Sequence, residues 1–392
     1  MSQIFEFDRV LRRENICNLE QELHQLNRIC AAGECVKIYG RRNFGKTSLV
    51  TRAVAEDWRS DSPGAGRRVV IYVDLYSVRS LDDISREFTK AFNLAMSRER
   101  SLWEKGVEWM KAFKKVRPIW QPPLSSDDGV GSFSLTTESG ESVVDFELVM
   151  ENIAALAEAG DFEFLLILDE FQEVGRVERA TAKLRGALQL FPGKLPVIIM
   201  GSKYHLLQKI FLDPREPFHG WGQTVEFGPI DYASFHEYMN VRFEKFGKVI
   251  DLGTSRFLQD LLSREPEAIN RLCSAIALDE ALPQVISKEM VVGKLGELLE
   301  SSRSIYSERF AQYTKLERRV LEGFAREGEV RKPTGKDFVR RMEETGASSI
   351  QAVIERFLDN GVIYREQDDD GKNIFRLSDP LFALYLKQYK VM

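Results

Sequence analysis

Two hydrophobic periods alternate along the first 230 or so residues. Short runs, mostly apolar, occur at Cys35–Tyr39, Arg68–Asp74, Phe164–Leu168 and Leu195–Gly201, and a shorter one at Gln223–Phe227. Runs of this length suit strands buried on both faces of a parallel sheet. Between them apolar residues recur every three or four positions. Ile16, Leu19, Leu23 and Leu26 predict a helix over Arg12–Ala32. Leu49, Ala53 and Val54 predict one over Ser48–Ala55. Ile84, Phe88 and Phe92 mark another from Leu81, and Asp145–Gly160 reads as a fourth. The alternation predicts an α/β unit.

From Asp231 the pattern becomes wholly helical, with Phe235, Tyr238 and Met239, then Phe257, Leu261 and Leu262, then Ile269, Leu272 and Ile276. The last stretch reads as helices near 316–326, 336–344 and 348–359, then a hairpin with arms Gly361–Arg365 and Asn373–Leu377. That order is a winged helix. The expected division is a core over 1–228, a helical lid over 229–308 and a winged helix over 309–392. An insertion is expected at about 98–144, partly hairpin through Ser132–Thr136. It holds Trp103, Trp109 and Trp120 and a basic cluster from Lys111 to Arg117. Basic residues among aromatics could contact nucleic acid; the tryptophan spacing favours a helix packed on the core.

Composition narrows the classes. The 392 residues are 43% hydrophobic and 29% charged, with a net charge of −5. That balance is globular and demands neither a nucleic-acid nor a membrane partner. The cysteines Cys17, Cys30, Cys35 and Cys273 form no C-x-x-C pair, so reduced thiols are expected rather than zinc. The first residues lack an apolar signal core and no run is long enough to span a bilayer, so a cytoplasmic location is expected.

The chemistry centres on Gly40-Arg41-Arg42-Asn43-Phe44-Gly45-Lys46-Thr47-Ser48, which fits G-x-x-x-x-G-K-[ST] between a strand and a helix. Gly40 and Gly45 allow a backbone path that turns N–H groups onto a phosphate. Lys46 supplies a cation for the β- and γ-phosphates, and Thr47 a hydroxyl for Mg²⁺. The opening of the following helix favours the anion. Asp169 and Glu170 end the buried run Phe164–Leu168, where ligands of parallel sheets bind. Asp169 is expected in the Mg²⁺ shell and Glu170 as general base toward water. Ser202, after the next buried run, is the candidate to sense the γ-phosphate or orient water.

These motifs resemble the archaeal-type ATPases of the STAND branch of AAA-type P-loop NTPases. The carriers are Arg12-Arg13-Glu14-Asn15, the phosphate loop, Leu168-Asp169-Glu170-Phe171-Gln172, Met200-Gly201-Ser202 and Ser378-Asp379-Pro380-Leu381-Phe382. The resemblance spans nearly the whole chain. It implies a doubly wound parallel sheet, a helical lid and a winged helix. It implies ATP as ligand, with adenine near the segment before the first helix. It also implies a switch that couples nucleotide state to a protein partner or to self-assembly. Two departures stand out. Phe218-His219-Gly220-Trp221-Gly222 lacks the arginine common before the last strand, and Glu267 stands where related ATPases carry an arginine after the lid proline. Both omissions imply slow hydrolysis, since an arginine finger is worth orders of magnitude in rate. Arg185 and Arg215 are the candidate substitutes.

A second reading is a nucleotide-gated DNA-binding regulator acting through the winged helix. Charge argues against it: the helix near 348–359 offers only Gln351 and Arg356, and the hairpin tip is Asp368-Asp369-Asp370. Arg331, Lys332, Lys336, Arg340 and Arg341 leave another basic face. A scaffold that binds ATP without turning it over is a third reading, against which Glu170 argues.

Overall fold

The computed structural model describes residues 5–60, 67–98, 111–121, 132–160, 162–189, 191, 194–342, 346–367 and 370–391. The chain divides into two compact units. A sheet unit comprises Glu20–Gly40 and Lys46–Phe227; a helical unit comprises Met1–Leu19, Arg41–Gly45 and Gly228–Met392.

In the sheet unit the predicted runs become β1 (Cys35–Gly40), β2 (Arg67–Asp74), β5 (Phe162–Asp169), β6 (Val197–Met200) and β7 (Gln223–Phe227). They form one parallel sheet in the order β2-β5-β6-β1-β7. β5 and β6 are buried at nearly every position because helices cover both faces. β6 starts later than its apolar run because Pro196 has no N–H to donate; its carbonyl accepts from Leu166 N–H at 3.1 Å. The register levels the C-terminal ends: Asp74 pairs with Asp169, Leu168 with Ile199, and Met200 with Ile38. The phosphate loop, the acidic pair and Ser202 therefore leave neighbouring strands at the same end of the sheet. A core including Phe88, Phe92, Phe146, Phe164, Phe211 and Phe218 packs the unit.

The first helix begins at Glu20, not near Arg12. Arg13–Asn15 form a separate single 3₁₀ turn, and Asn18 sits at φ 49, a left-handed conformation that interrupts an α-helix. The helix after the loop starts at Lys46 and loosens into a π turn over Val50–Val54. In the insertion, β3 (Val116–Gln121) and β4 (Ser132–Thr137) pair antiparallel, as the alternation suggested. Trp103 and Trp109 lie outside the described residues.

Before the winged helix, the helical unit departs from its expected wholly helical pattern at β8 (Val249–Ile250) and β9 (Val285–Ile286). These two-residue strands pair in parallel between helices, too short for periodicity to register. The helices Tyr232–Phe243, Leu252–Leu261, Pro266–Leu278, Lys288–Ser301 and Arg303–Ala311 precede the winged helix. That domain has helices Lys315–Glu327, Lys336–Arg341 and Ala347–Asp359. β10 (Ile363–Gln367) then pairs antiparallel with β11 (Asn373–Leu377), and helix Pro380–Tyr389 closes it. Val330 adds a bridge to Phe375, the third strand position of a winged helix. Thr314 and Glu317 form a reciprocal capping box on Lys315–Glu327. Asp379 caps the last helix through Phe382 N–H at 2.9 Å. Ile350, Val353, Ile354 and Phe357 face the core, which fixes the orientation of helix Ala347–Asp359.

Candidate nucleotide site

In the sheet unit the site grows from the ends of β1, β5 and β6. A Cβ on Gly40 would lie 2.7 Å from Phe227 Cβ, so only glycine lets β1 end beside β7 here. Lys46 is buried, and its amine returns to the Gly40 carbonyl at 2.8 Å. Thr47 Oγ1 donates to Asp169 Oδ2 at 3.2 Å, joining the helix opening to the end of β5. Ser48 is buried in the same first turn.

Asp169 has two further donors. Tyr72, from β2, gives its hydroxyl to Oδ2 at 2.7 Å, and Glu170 N–H donates to Oδ1 at 2.8 Å. Burial still raises the Asp169 carboxyl above its ordinary value, aided by the neighbouring Glu170 charge and opposed by these bonds and Thr47. Burial also pushes the Tyr72 hydroxyl well up, so it stays a donor. A buried carboxylate beside a threonine hydroxyl is a hard-oxygen set that fits Mg²⁺. Among the described residues no three or more His, Cys, Asp or Glu gather to hold a metal by themselves. Thr47 and Asp169 would hold Mg²⁺ together with phosphate oxygens and water.

Glu170 sits at φ 52, where a non-glycine residue costs about 1 kcal/mol. The turn carries the chain into the 3₁₀ helix Phe171–Arg176 and presents the carboxylate to two donors. Ser202 Oγ donates to Glu170 Oε2 at 2.8 Å, and Gln172 Nε2 donates to the same oxygen. Both of these contacts fall on Oε2. Gln172 reaches Glu170 only because residue 201 is glycine: a Cβ there would sit 2.0 Å from Gln172 Oε1.

Sequence reasoning assigned no role to Tyr72 or Gln172, and it missed Glu173. This buried carboxylate meets Lys203 Nζ at 2.7 Å, Arg176 at 3.1 Å and Arg79 at 3.6 Å. It thereby ties the turn holding Ser202 to the turn after β5. A tyrosine in a strand and a glutamine after an acidic pair carry no local mark of their partners.

The candidate substitute arginines fall elsewhere. Arg185 acts on the Cys35 thiol, at the start of β1 and the opposite end of that strand from the loop. Arg215 is exposed and bidentate on Asp213, at 3.0 and 2.8 Å. Where the arginine before the last strand is missing, Lys37 donates to the carbonyls of Trp221 and Gly222, at 2.7 Å each.

Loop residues Arg41–Gly45 group with the helical unit. Asn43 and Gly45 have φ of 64 and 81, the left-handed pair that curls the loop. Phe44 is buried, and a Cβ on Gly45 would meet Leu19 Cδ1 at 3.2 Å. Glu265 N-caps helix Pro266–Leu278 through Ala268 N–H at 2.6 Å and accepts from the Asn43 side chain. Burial outweighs those bonds and lifts the Glu265 carboxyl from 4.5 to about 7, with Glu267's charge adding to the rise. Glu267 is also raised, by burial and by a hydrogen bond with Asp8, against the charges of Arg271 and Arg42. The folded pKa of Glu265 lies above the unfolded one, so its contribution to stability is complete below about pH 4.5 and is lost as pH rises to about 7. Wild type is expected to lose about 3 kcal/mol through Glu265 across that window. Denaturant unfolding at pH 5 and pH 8 should show this loss together with that of Glu267, and Glu265→Gln should reduce it by the Glu265 share while the Glu267 share remains.

The fold has known counterparts. A model of a probable winged helix domain matches residues 304–388. No curated protein matches the chain in sequence. The chain is similar to the Walker-type ATPase of Pyrococcus abyssi, with a TM-score of 0.65 and 18% identity over 98% of this chain and 99% of that one. It is also similar to the ORC2 protein of Aeropyrum pernix in its ADPNP–ADP complexes, with a TM-score of 0.56 and 15% identity over 99% and 96%. The Aeropyrum pernix ORC1 protein in complex with DNA follows, with a TM-score of 0.53 and 15% identity over 98% and 96%. At these identities the likeness establishes the fold: a P-loop ATPase sheet with a C-terminal winged helix.

Proposed function

We propose that this protein is a Mg-ATP-binding, slowly hydrolysing switch that couples its nucleotide state to a protein partner or to self-assembly. The observation that carries the reading is the Thr47–Asp169 contact at 3.2 Å beside the Glu170–Ser202 contact at 2.8 Å. One pair is a cation shell and the other an aimed base. Lys46, now on the Gly40 carbonyl, is the donor available to phosphate oxygens. Mg²⁺, when bound, neutralises phosphate charge. Glu170 takes the proton of the attacking water, while Ser202 and Gln172 hold the carboxylate in place. Slow turnover follows from Glu267 in the lid, from Lys37 spent on carbonyls, and from Arg185 at the far end of β1. The STAND branch belongs to this proposal too, as do the lid over 229–308, the winged helix over 309–392 and a soluble location in the cytoplasm. Among the described residues no helix is long and apolar enough to cross a membrane.

The test is metal removal. ATP affinity measured by calorimetry should fall at least tenfold when EDTA replaces Mg²⁺. Equal affinity in both buffers would leave the Thr47–Asp169 pair without its assigned role.

The DNA-regulator reading rests on one patch. Lys332, Lys336 and Arg340 are exposed, whereas Arg356 pairs with Glu317 at 3.2 Å and Gln351 bonds Glu355 at 2.7 Å. Asp368 and Asp369 lie outside the described residues. The reading helix therefore offers little to bases, and the full chain is expected to bind duplex DNA weakly, without sequence preference and with strong salt dependence. Fluorescence anisotropy on random and defined duplexes checks this. Tight, selective binding at physiological salt would put the DNA reading first.

A further inference from the structure

The phosphate loop is gripped from outside its own motif. The Arg41 guanidinium lies 4.0 Å from the centroid of the Tyr364 ring, on β10 of the winged helix, and 4.7 Å from that of Phe44. Arg41 Nη1 also reaches the carbonyl of Ser263 at 3.4 Å. Tyr364 is half-buried, and among the described residues its hydroxyl has no hydrogen-bond partner, so the ring face is what it contributes. A planar cation between two aromatic rings is an arrangement that lysine cannot reproduce.

The other jaw is strained. Ser263 and Arg264 both lie in the left-handed region, at φ 53 and 54, immediately before Glu265. Two consecutive non-glycine residues there cost on the order of 1 kcal/mol each. Surrounding bonds over-determine the turn. Arg264 N–H donates to Gln259 O at 2.7 Å, its guanidinium donates to the Ile230 carbonyl, and it stacks 4.1 Å from the Tyr232 ring. The outcome is that Ser263 offers its carbonyl to Arg41 while Glu265 offers its carboxylate to Asn43. Two side chains of the phosphate loop are thus fixed by the lid turn, and one of them by the winged helix as well. Arg41 and Asn43 occupy x positions of the motif, where the pattern specifies no side chain.

We infer that Arg41 is a positioning residue through which Tyr364 of the winged helix and the Ser263–Glu265 turn hold the phosphate loop in its binding conformation. The inference deepens the proposed function and rests on it: a partner that moves the winged helix withdraws the Tyr364 ring, releases Arg41 and weakens nucleotide binding. The loop already has its left-handed Asn43 and Gly45, so holding it spares the nucleotide the cost of ordering it.

The test uses the full chain with Tyr364→Ala, Tyr364→Phe, Arg41→Ala and the Arg41→Ala/Tyr364→Ala double variant. Hydrogen exchange is read first, without nucleotide. Tyr364→Ala should deprotect amides of the loop peptide, residues 40–48, while Tyr364→Phe, which keeps the ring, should match wild type. Fluorescent ADP binding is read second. Tyr364→Ala should weaken affinity between about twofold and thirtyfold, the range of one cation–π contact, and the double variant should be no weaker than Arg41→Ala. A purely structural Tyr364 would lower thermal stability yet leave loop exchange unchanged and the affinity losses additive, and either result overturns the inference. The exchange arm needs no ligand. Failure of wild type to bind nucleotide would therefore fall on the proposed function, while the exchange result alone supports or overturns the grip on the loop.

Discussion

Lys46→Ala is expected to abolish measurable ATP binding. The amine is the only side-chain cation in the loop turn that belongs to the sheet unit, and it is buried with a short path to the loop through Gly40 O. Removing it leaves phosphate charge facing backbone N–H groups alone. A charge-assisted contact to phosphate is worth about 1.5–3 kcal/mol, and several phosphate oxygens share this donor. Affinity should therefore drop by two orders of magnitude or more. Equilibrium binding of a fluorescent ATP analogue, read beside a thermal melt to verify folding, checks it. Retained affinity would remove the loop from the function altogether.

Glu170→Gln is expected to stop turnover and keep ATP bound. The glutamine preserves shape and can still accept from Ser202, but it cannot take a proton. Asp169, which meets Thr47 and Tyr72, is untouched. Loss of a general base costs about 10²–10⁴ in rate. Phosphate release measured against wild type should fall by at least a hundredfold, with ATP affinity within a few-fold of wild type. Equal rates would take the base role away from Glu170.

Much of this was legible in the residues because it is local. The strand runs, the phosphate loop and the acidic pair are continuous in sequence, and hydrophobic period reports them directly. Burial of β5 and β6 is legible in their apolar runs, whereas the order of the strands in the sheet is not. What escaped depends on distant partners or single backbone angles. Asn18 interrupts the first helix through one left-handed φ, which the apolar spacing of Ile16, Leu19 and Leu23 does not carry. The two-residue strands β8 and β9 are shorter than any period. Tyr72 reads as an ordinary strand residue until β2 pairs with β5 and brings its hydroxyl to Asp169. Gln172 needs the absent side chain of Gly201. Arg41 looks like one more basic loop position, since nothing near it in sequence announces Tyr364.

The departures from the resembled pattern also take on physical content. Glu267 belongs to an acidic group with Glu265 and Asp8 that meets the charges of Arg42 and Arg271.

The account is tested most directly by identifying the nucleotide that stays on the full chain after incubation with Mg-ATP and rapid removal of free ligand. Wild type should carry ADP that accumulates slowly, Glu170→Gln should carry ATP, and Lys46→Ala should carry neither. A wild-type chain that emerges without nucleotide, or a Glu170→Gln chain that accumulates ADP as fast as wild type, would contradict it.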